Sequence, residues 1–159
     1  MTDPRLARWQ LRTNGELLLR RTPPPDGAPL RAVESSSWSE GWTAFYERRP
    51  DLRPRLEHSE TFPRERLRER LADLLPPDRE HVLVVSLHGH PDAVGVGAAT
   101  VAGPGDPVTG YVVGLVEAGE DDLFVLDEPG GTILYVDQDD EEHPGEVLVQ
   151  RYRWPEVDD

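Results

Sequence analysis

The sequence predicts an α+β domain: an N-terminal β-hairpin, two short helices, then a mostly antiparallel meandering sheet with the helices packed on one face. Three observations carry this. Asn14-Gly15 divides two short runs near the start, and apolar or aromatic residues recur at helical spacing between residues 37 and 75. From residue 81 onward, short β-rich runs alternate with turn clusters, and no helix-length pattern separates them. A chain of 159 residues is enough for one ordinary core, so residues 1–159 are read as a single domain. Its expected parts are a hairpin (1–21), a Pro-rich connector (22–34), a helical part (35–80) and a β-rich acidic part (81–154).

Each element has a local reason. Asn and Gly both tolerate positive φ, so "ARWQLRTNGELLLRR" reads as two strands joined by a tight turn at Asn14-Gly15. "TPPPDGAP" contains four prolines, which lack the amide hydrogen that a ladder or a helix interior needs, and it reads as a connector. In "SSSWSEGWTAFYERRP", Ser37 and Glu40 stand at capping-box spacing, and Trp38, Trp42 and Phe45 fall on one helical face. "TFPRERLRERLADLLPP" predicts a second helix, with Thr61 as N-cap, Pro63 in the first turn and Leu67, Leu71 and Leu74 along one stripe. Its other face alternates Arg and Glu, the pattern of a solvated surface with i,i+4 pairs.

The strand runs follow: "HVLVVSL", "AVGVGAATVA", "TGYVVGLVEA", "DLFVLDE", "TILYVDQ" and "EVLVQRYRW". Between them stand turn clusters such as 103–107 and Pro129-Gly130-Gly131. With no helix expected between the runs, antiparallel pairing follows, because parallel neighbours require long crossovers.

Composition narrows the function. The chain has no cysteine, which removes disulfides, thiol nucleophiles and cysteine-rich zinc sites. No apolar run approaches the ~20 residues of a membrane-spanning helix. "MTDPRLARWQLRTNG" lacks the apolar core of a secretory signal, so the expectation is a cytoplasmic protein with no membrane partner. The net charge of −14 is unevenly placed. Residues 1–81 carry 15 Arg against 14 acids, whereas residues 82–159 carry 2 Arg against 17 acids. A field of this sign repels nucleic acid and attracts basic partners or cations.

Two constellations could carry chemistry. In "VLVVSLHGHPDAVGVG", His88 and His90 would share one face of a strand, with Asp92 close behind, a donor set suited to zinc or iron. The stretch "LHGHPDAVG" resembles the zinc motif of the metallo-β-lactamase superfamily at His88, His90, Asp92 and Gly95, but places Ala93 where that family has its next histidine. The resemblance implies a small metal-dependent hydrolase. An apolar strand ending in a Gly-Pro turn accounts for the same residues without metal, and no cofactor is expected.

The second constellation is acidic. Asp137, Asp139, Asp140, Glu141 and Glu142 crowd between two strand runs, and Glu120, Asp121 and Asp122 precede "LFVLDE". Asp137-x-Asp139-x-Glu141 begins like a calcium loop, but Glu142 occupies the glycine position and Leu148 the twelfth. In a meander, alternate loops share one sheet end, which would gather these acids into one patch for a basic partner.

The segment 114–142 also resembles the C-terminal strand pair of the SUKH superfamily, which contains many bacterial toxin-immunity proteins. The shared features are Asp121, Asp122, Asp127, Gly130, Gly131, Tyr135 and Asp137. That resemblance implies a non-enzymatic immunity protein that neutralises a basic toxin or nuclease by direct binding. An acidic accessory subunit of a larger assembly is a third reading. The sequence leaves the oligomeric state open.

Overall fold

A computed structural model of the chain describes residues 4–25, 28–34, 55–87, 98–120, 122–127, 132–138 and 144–153. In chain order the elements are α1 (Pro4–Arg21), β1 (Arg31–Ala32), β2 (Arg55–Pro63), α2 (Leu67–Leu74), β3 (Glu80–Ser86), β4 (Ala98–Pro104), α3 (Gly105–Glu117), β5 (Leu123–Asp127), β6 (Thr132–Gln138) and β7 (Glu146–Arg153). A single 3₁₀ turn, Arg64–Arg66, leads into α2.

The described strands form one seven-stranded sheet in the order β1-β4-β3-β5-β6-β7-β2, with every neighbouring pair antiparallel. The α+β class and the antiparallel sheet therefore stand as the sequence predicts. Alternation sets the core. Leu83 and Val85 of β3, Leu123 and Val125 of β5, Leu134 and Val136 of β6, and Val147 and Val149 of β7 point to one face. There they pack with Leu67 and Leu71 of α2 and Val108, Val112, Leu115 and Val116 of α3. Burying such a side chain stabilises the fold by about 1.5–3 kcal/mol. The opposite residues Val82, Val84, Phe124, Leu126 and Ile133 build a smaller cluster on the second face.

Three elements differ from expectation. The first is the N-terminal hairpin: residues 4–21 form one helix that runs straight through Asn14-Gly15. Leu11, Asn14 and Leu18 recur at helical spacing and are all buried. The Asn14 amide donates to the Ala98 carbonyl at 2.8 Å, which occupies a polar group near the edge of β4. Gly15 serves close approach rather than a turn, because a Cβ there would stand 2.4 Å from the Thr100 carbonyl oxygen. Leu18 joins the larger cluster and Leu11 the smaller, so α1 serves both faces at this edge.

The second difference is "TGYVVGLVEA", read as a strand but lying within α3. Its β-branched residues disfavour helix locally, yet Val108, Thr109, Tyr111, Val112, Val113, Leu115 and Val116 are all buried, and packing overrides propensity. Pro107 sits in the first turn of the helix, where no amide donor is required. As a consequence β4 and β5, both antiparallel to β3, run parallel to each other, and α3 carries the chain between them.

The third is the start of the second helix. Thr61 and Pro63 belong to β2 rather than to a cap and first turn, because Phe62 is buried opposite Val147 in the sheet. The stripe remains as expected, with Leu67 and Leu71 buried and Leu74 partly so. The helix expected around Trp38, Trp42 and Phe45 lies outside the described residues.

Candidate partner-binding site

The acidic residues that precede β5 are positioned by the end of α3. Gly119, at φ +95°, closes the helix: its amide donates to the Val116 carbonyl at 3.0 Å, and the Glu120 amide reaches the Leu115 carbonyl at 2.9 Å. These are the two bonds of a Schellman ending, which a glycine at the left-handed position permits. Asp122 also has positive φ, at 54°, and the chain then enters β5.

β6 returns to the same place. Leu123 stands opposite Val136, so the residues before β5 and the last residues of β6 share one sheet end. Gln138 joins them. Its side chain is only 7% exposed, and Nε2 donates to the Val116 carbonyl at 3.1 Å and to the Glu120 carbonyl at 2.8 Å. Asp137 accepts the Gln138 amide at 2.9 Å. Tyr135 donates its hydroxyl to Asp122 at 2.6 Å, and its ring lies 4.9 Å from that of Phe124. Burial, the bond to Asp122 and the charges of Asp122 and Asp137 all push the Tyr135 hydroxyl far above the ordinary phenol range, so it remains a neutral donor.

Glu120, Asp122 and Asp137 are thus brought to one sheet end by two side chains, of which the sequence pointed to Tyr135 but not to Gln138. Gln138 and Tyr135 are the organisers. The one signal for Gln138 was its phase: it continues the alternation of Leu134 and Val136 on the inward face of β6. None of the three acids has a cationic partner among the described residues. Asp121, Asp139, Asp140, Glu141 and Glu142 lie outside the described residues, as do His88, His90 and Asp92. Ser86 and Ala98, the paired strand residues that bracket the histidine segment, stand at this same sheet end. Among the described residues no group of three or more His, Asp or Glu is arranged to hold a metal.

The opposite sheet end is wired differently. Arg79 meets Asp127 at 3.0 Å, Arg31 meets Glu80, and Arg153 donates to Glu57 at 2.5 Å. A register shift between Leu56 and His58 marks a bulge at Glu57, which lies within 3.6 Å of Arg151 as well. Arg153, with help from Arg151 and Arg55, holds the Glu57 carboxyl below its ordinary range.

No protein-family model, curated protein or solved structure matches this chain. No helix among the described residues is long and apolar enough to cross a membrane.

Proposed function

We propose that this chain is a non-enzymatic acidic binding protein, an immunity-type inhibitor that neutralises a basic toxin or nuclease by direct contact. The observation that supports this reading is the cluster of Glu120, Asp122 and Asp137 at one sheet end, held by neutral donors and without cationic partners among the described residues. Like charges gathered without counter-charges repel one another, so the arrangement subtracts from folding stability unless a partner supplies the opposite charge. In the sequence, Asp121 and the run 139–142 directly adjoin these residues and add to the negative charge of this half of the chain. Such a field steers a basic partner to the surface and accelerates association.

The test is growth rescue. Cells producing a toxic basic protein encoded beside this chain are protected by co-expression of the wild type and of a Glu65→Gln/Glu69→Gln control. Protection is lost with Asp139→Asn/Asp140→Asn/Glu141→Gln. Full protection by the acidic-run variant overturns the assignment of the site, and stoichiometric zinc bound through His88 and His90 would favour the hydrolase reading instead.

A further inference from the structure

The two faces of the β6–β7–β2 end of the sheet are chemically segregated. On the helix-covered face β7 places Arg151 opposite Leu134 of β6, and Arg153 opposite both Thr132 of β6 and Arg55 of β2. The second face of the same strands carries no cation. There the register sets Tyr135 beside Gln150 and Ser59, and Asp137 beside Leu148 and Thr61. A third row brings Tyr152 beside Leu56, which is 49% exposed.

Exposure along these rows increases outward. Ser59 and Thr61 on β2 are exposed, while Tyr135, Leu148, Gln150 and Tyr152 are half-buried. Side-chain bonds hold the patch in shape: Tyr152 donates to Gln150 at 2.9 Å, and Gln150 to Ser59 at 3.4 Å. β2 pairs only with β7 and ends the sheet, so among the described residues the patch runs to an uncovered edge. Tyrosine beside small hydroxyl and amide residues is the composition of antibody binding loops, where it offers large rigid area and adaptable hydrogen bonds.

We infer that this second face of β6, β7 and β2 is the docking surface for arginine side chains of a basic protein partner. The inference rests on the acidic-end reading and extends it from a charged end to a defined face. Charge complementarity selects the occupant, because Asp122 and Asp137 border the patch at one end and no cation on it would repel arginine. Guanidinium planes stack on tyrosine rings and form forked bonds to carboxylates, whereas a lysine ammonium does neither as well.

The experiment titrates the full chain with deca-arginine and with deca-lysine at low salt. Wild type binds deca-arginine several-fold more tightly than deca-lysine. Ser59→Arg/Thr61→Arg, at exposed positions that leave the melting temperature unchanged, weakens deca-arginine binding roughly tenfold or more and removes the preference. Glu65→Gln/Glu69→Gln makes the same change in net charge on α2 and the 3₁₀ turn before it and leaves the preference intact. Equal weakening by the two variants, or equal affinity for the two peptides, overturns the docking face. Loss of binding in Asp139→Asn/Asp140→Asn/Glu141→Gln together with normal binding by Ser59→Arg/Thr61→Arg sinks this inference while leaving the acidic end standing. Absence of any deca-arginine binding sinks both.

Discussion

The two ends of the sheet use the same residue types for opposite purposes. At one end Asp127, Glu80 and Glu57 each meet an arginine. At the other, Asp122 accepts the Tyr135 hydroxyl and Asp137 the Gln138 backbone amide, Glu120 is held through its backbone carbonyl, and none of the three meets a cation among the described residues. A carboxylate paired at the surface contributes modestly to stability, and one grouped with its own kind contributes nothing or subtracts. Under the proposed function, the first end holds the fold and the second meets a partner.

The largest expected effect comes from undoing the acidic end at its organiser. Gln138→Leu leaves the Glu120 carbonyl without its side-chain donor, while the Val116 carbonyl keeps the Gly119 amide. An unsatisfied buried group of this kind costs about 1–3 kcal/mol, so thermal melting should fall by a few degrees. An unchanged melting temperature would mean that the α3 turn and β6 are joined by something else.

Acid titration adds an ion pair from the helix-covered face, in the row of Val136 and Val149. Glu60 of β2 takes two bonds from Arg70, at 2.6 and 3.0 Å, and lies 2.7 Å from His58. The Arg70 bond, more than His58, holds its pKa at about 2, below the ordinary 4.5. Folding therefore gains stability from this group above the ordinary value and loses it as pH falls from 4.5 towards 2, because the unfolded chain takes up the proton first. Glu60→Gln should flatten the wild-type stability curve across that window.

The ion-paired end holds His81, buried on β3 with its Nδ1 unpartnered among the described residues. Burial lowers its pKa from the ordinary imidazole value of 6.5. Its contribution is therefore complete above 6.5 and is lost as pH falls below it. Denaturant midpoints measured across the two windows separate the two groups.

A smaller effect, but of opposite sign at the two ends, is expected from neutralising acids. Asp122→Asn/Asp137→Asn keeps the oxygens that accept from Tyr135 and the Gln138 amide while removing repulsion, and should leave stability unchanged or raise it by about 0.5 kcal/mol or less at low salt. Glu57→Gln removes the carboxylate shared by Arg153 and Arg151 and should lower the melting temperature. Destabilisation by both variants would erase the distinction between the ends.

The strands of the second half were legible because apolar residues alternate there in short runs bounded by turns. Antiparallel pairing followed from chain economy. Helix α3 was not legible, since its apolar residues surround it; its signal was the reverse stripe of Asp106, Gly110, Gly114 and Glu117, spaced at helical intervals on the less buried side. Asn14-Gly15 misled for a related reason. Local turn chemistry was outweighed by a long-range requirement, the close passage of α1 over Thr100, which nothing within a dozen residues announces. That the start of β5 and the end of β6 share one sheet end was foreseen from loop alternation. The means, a buried glutamine reaching two carbonyls, depends on the position of α3 and so could not be read before the helix was known.

The central claim is that the acidic end recruits a basic partner, and association kinetics test it most directly. Stopped-flow rates for deca-arginine binding should fall steeply as salt shortens the Debye length to about 10 Å at 0.1 M. The variant Asp139→Asn/Asp140→Asn/Glu141→Gln should associate more slowly at low salt and show a shallower salt dependence than wild type, while Glu65→Gln/Glu69→Gln should keep most of the wild-type slope. Identical salt slopes for the acidic-run variant and wild type, with the helix variant alone impaired, would contradict the account and move the partner surface to the arginine-rich helical half.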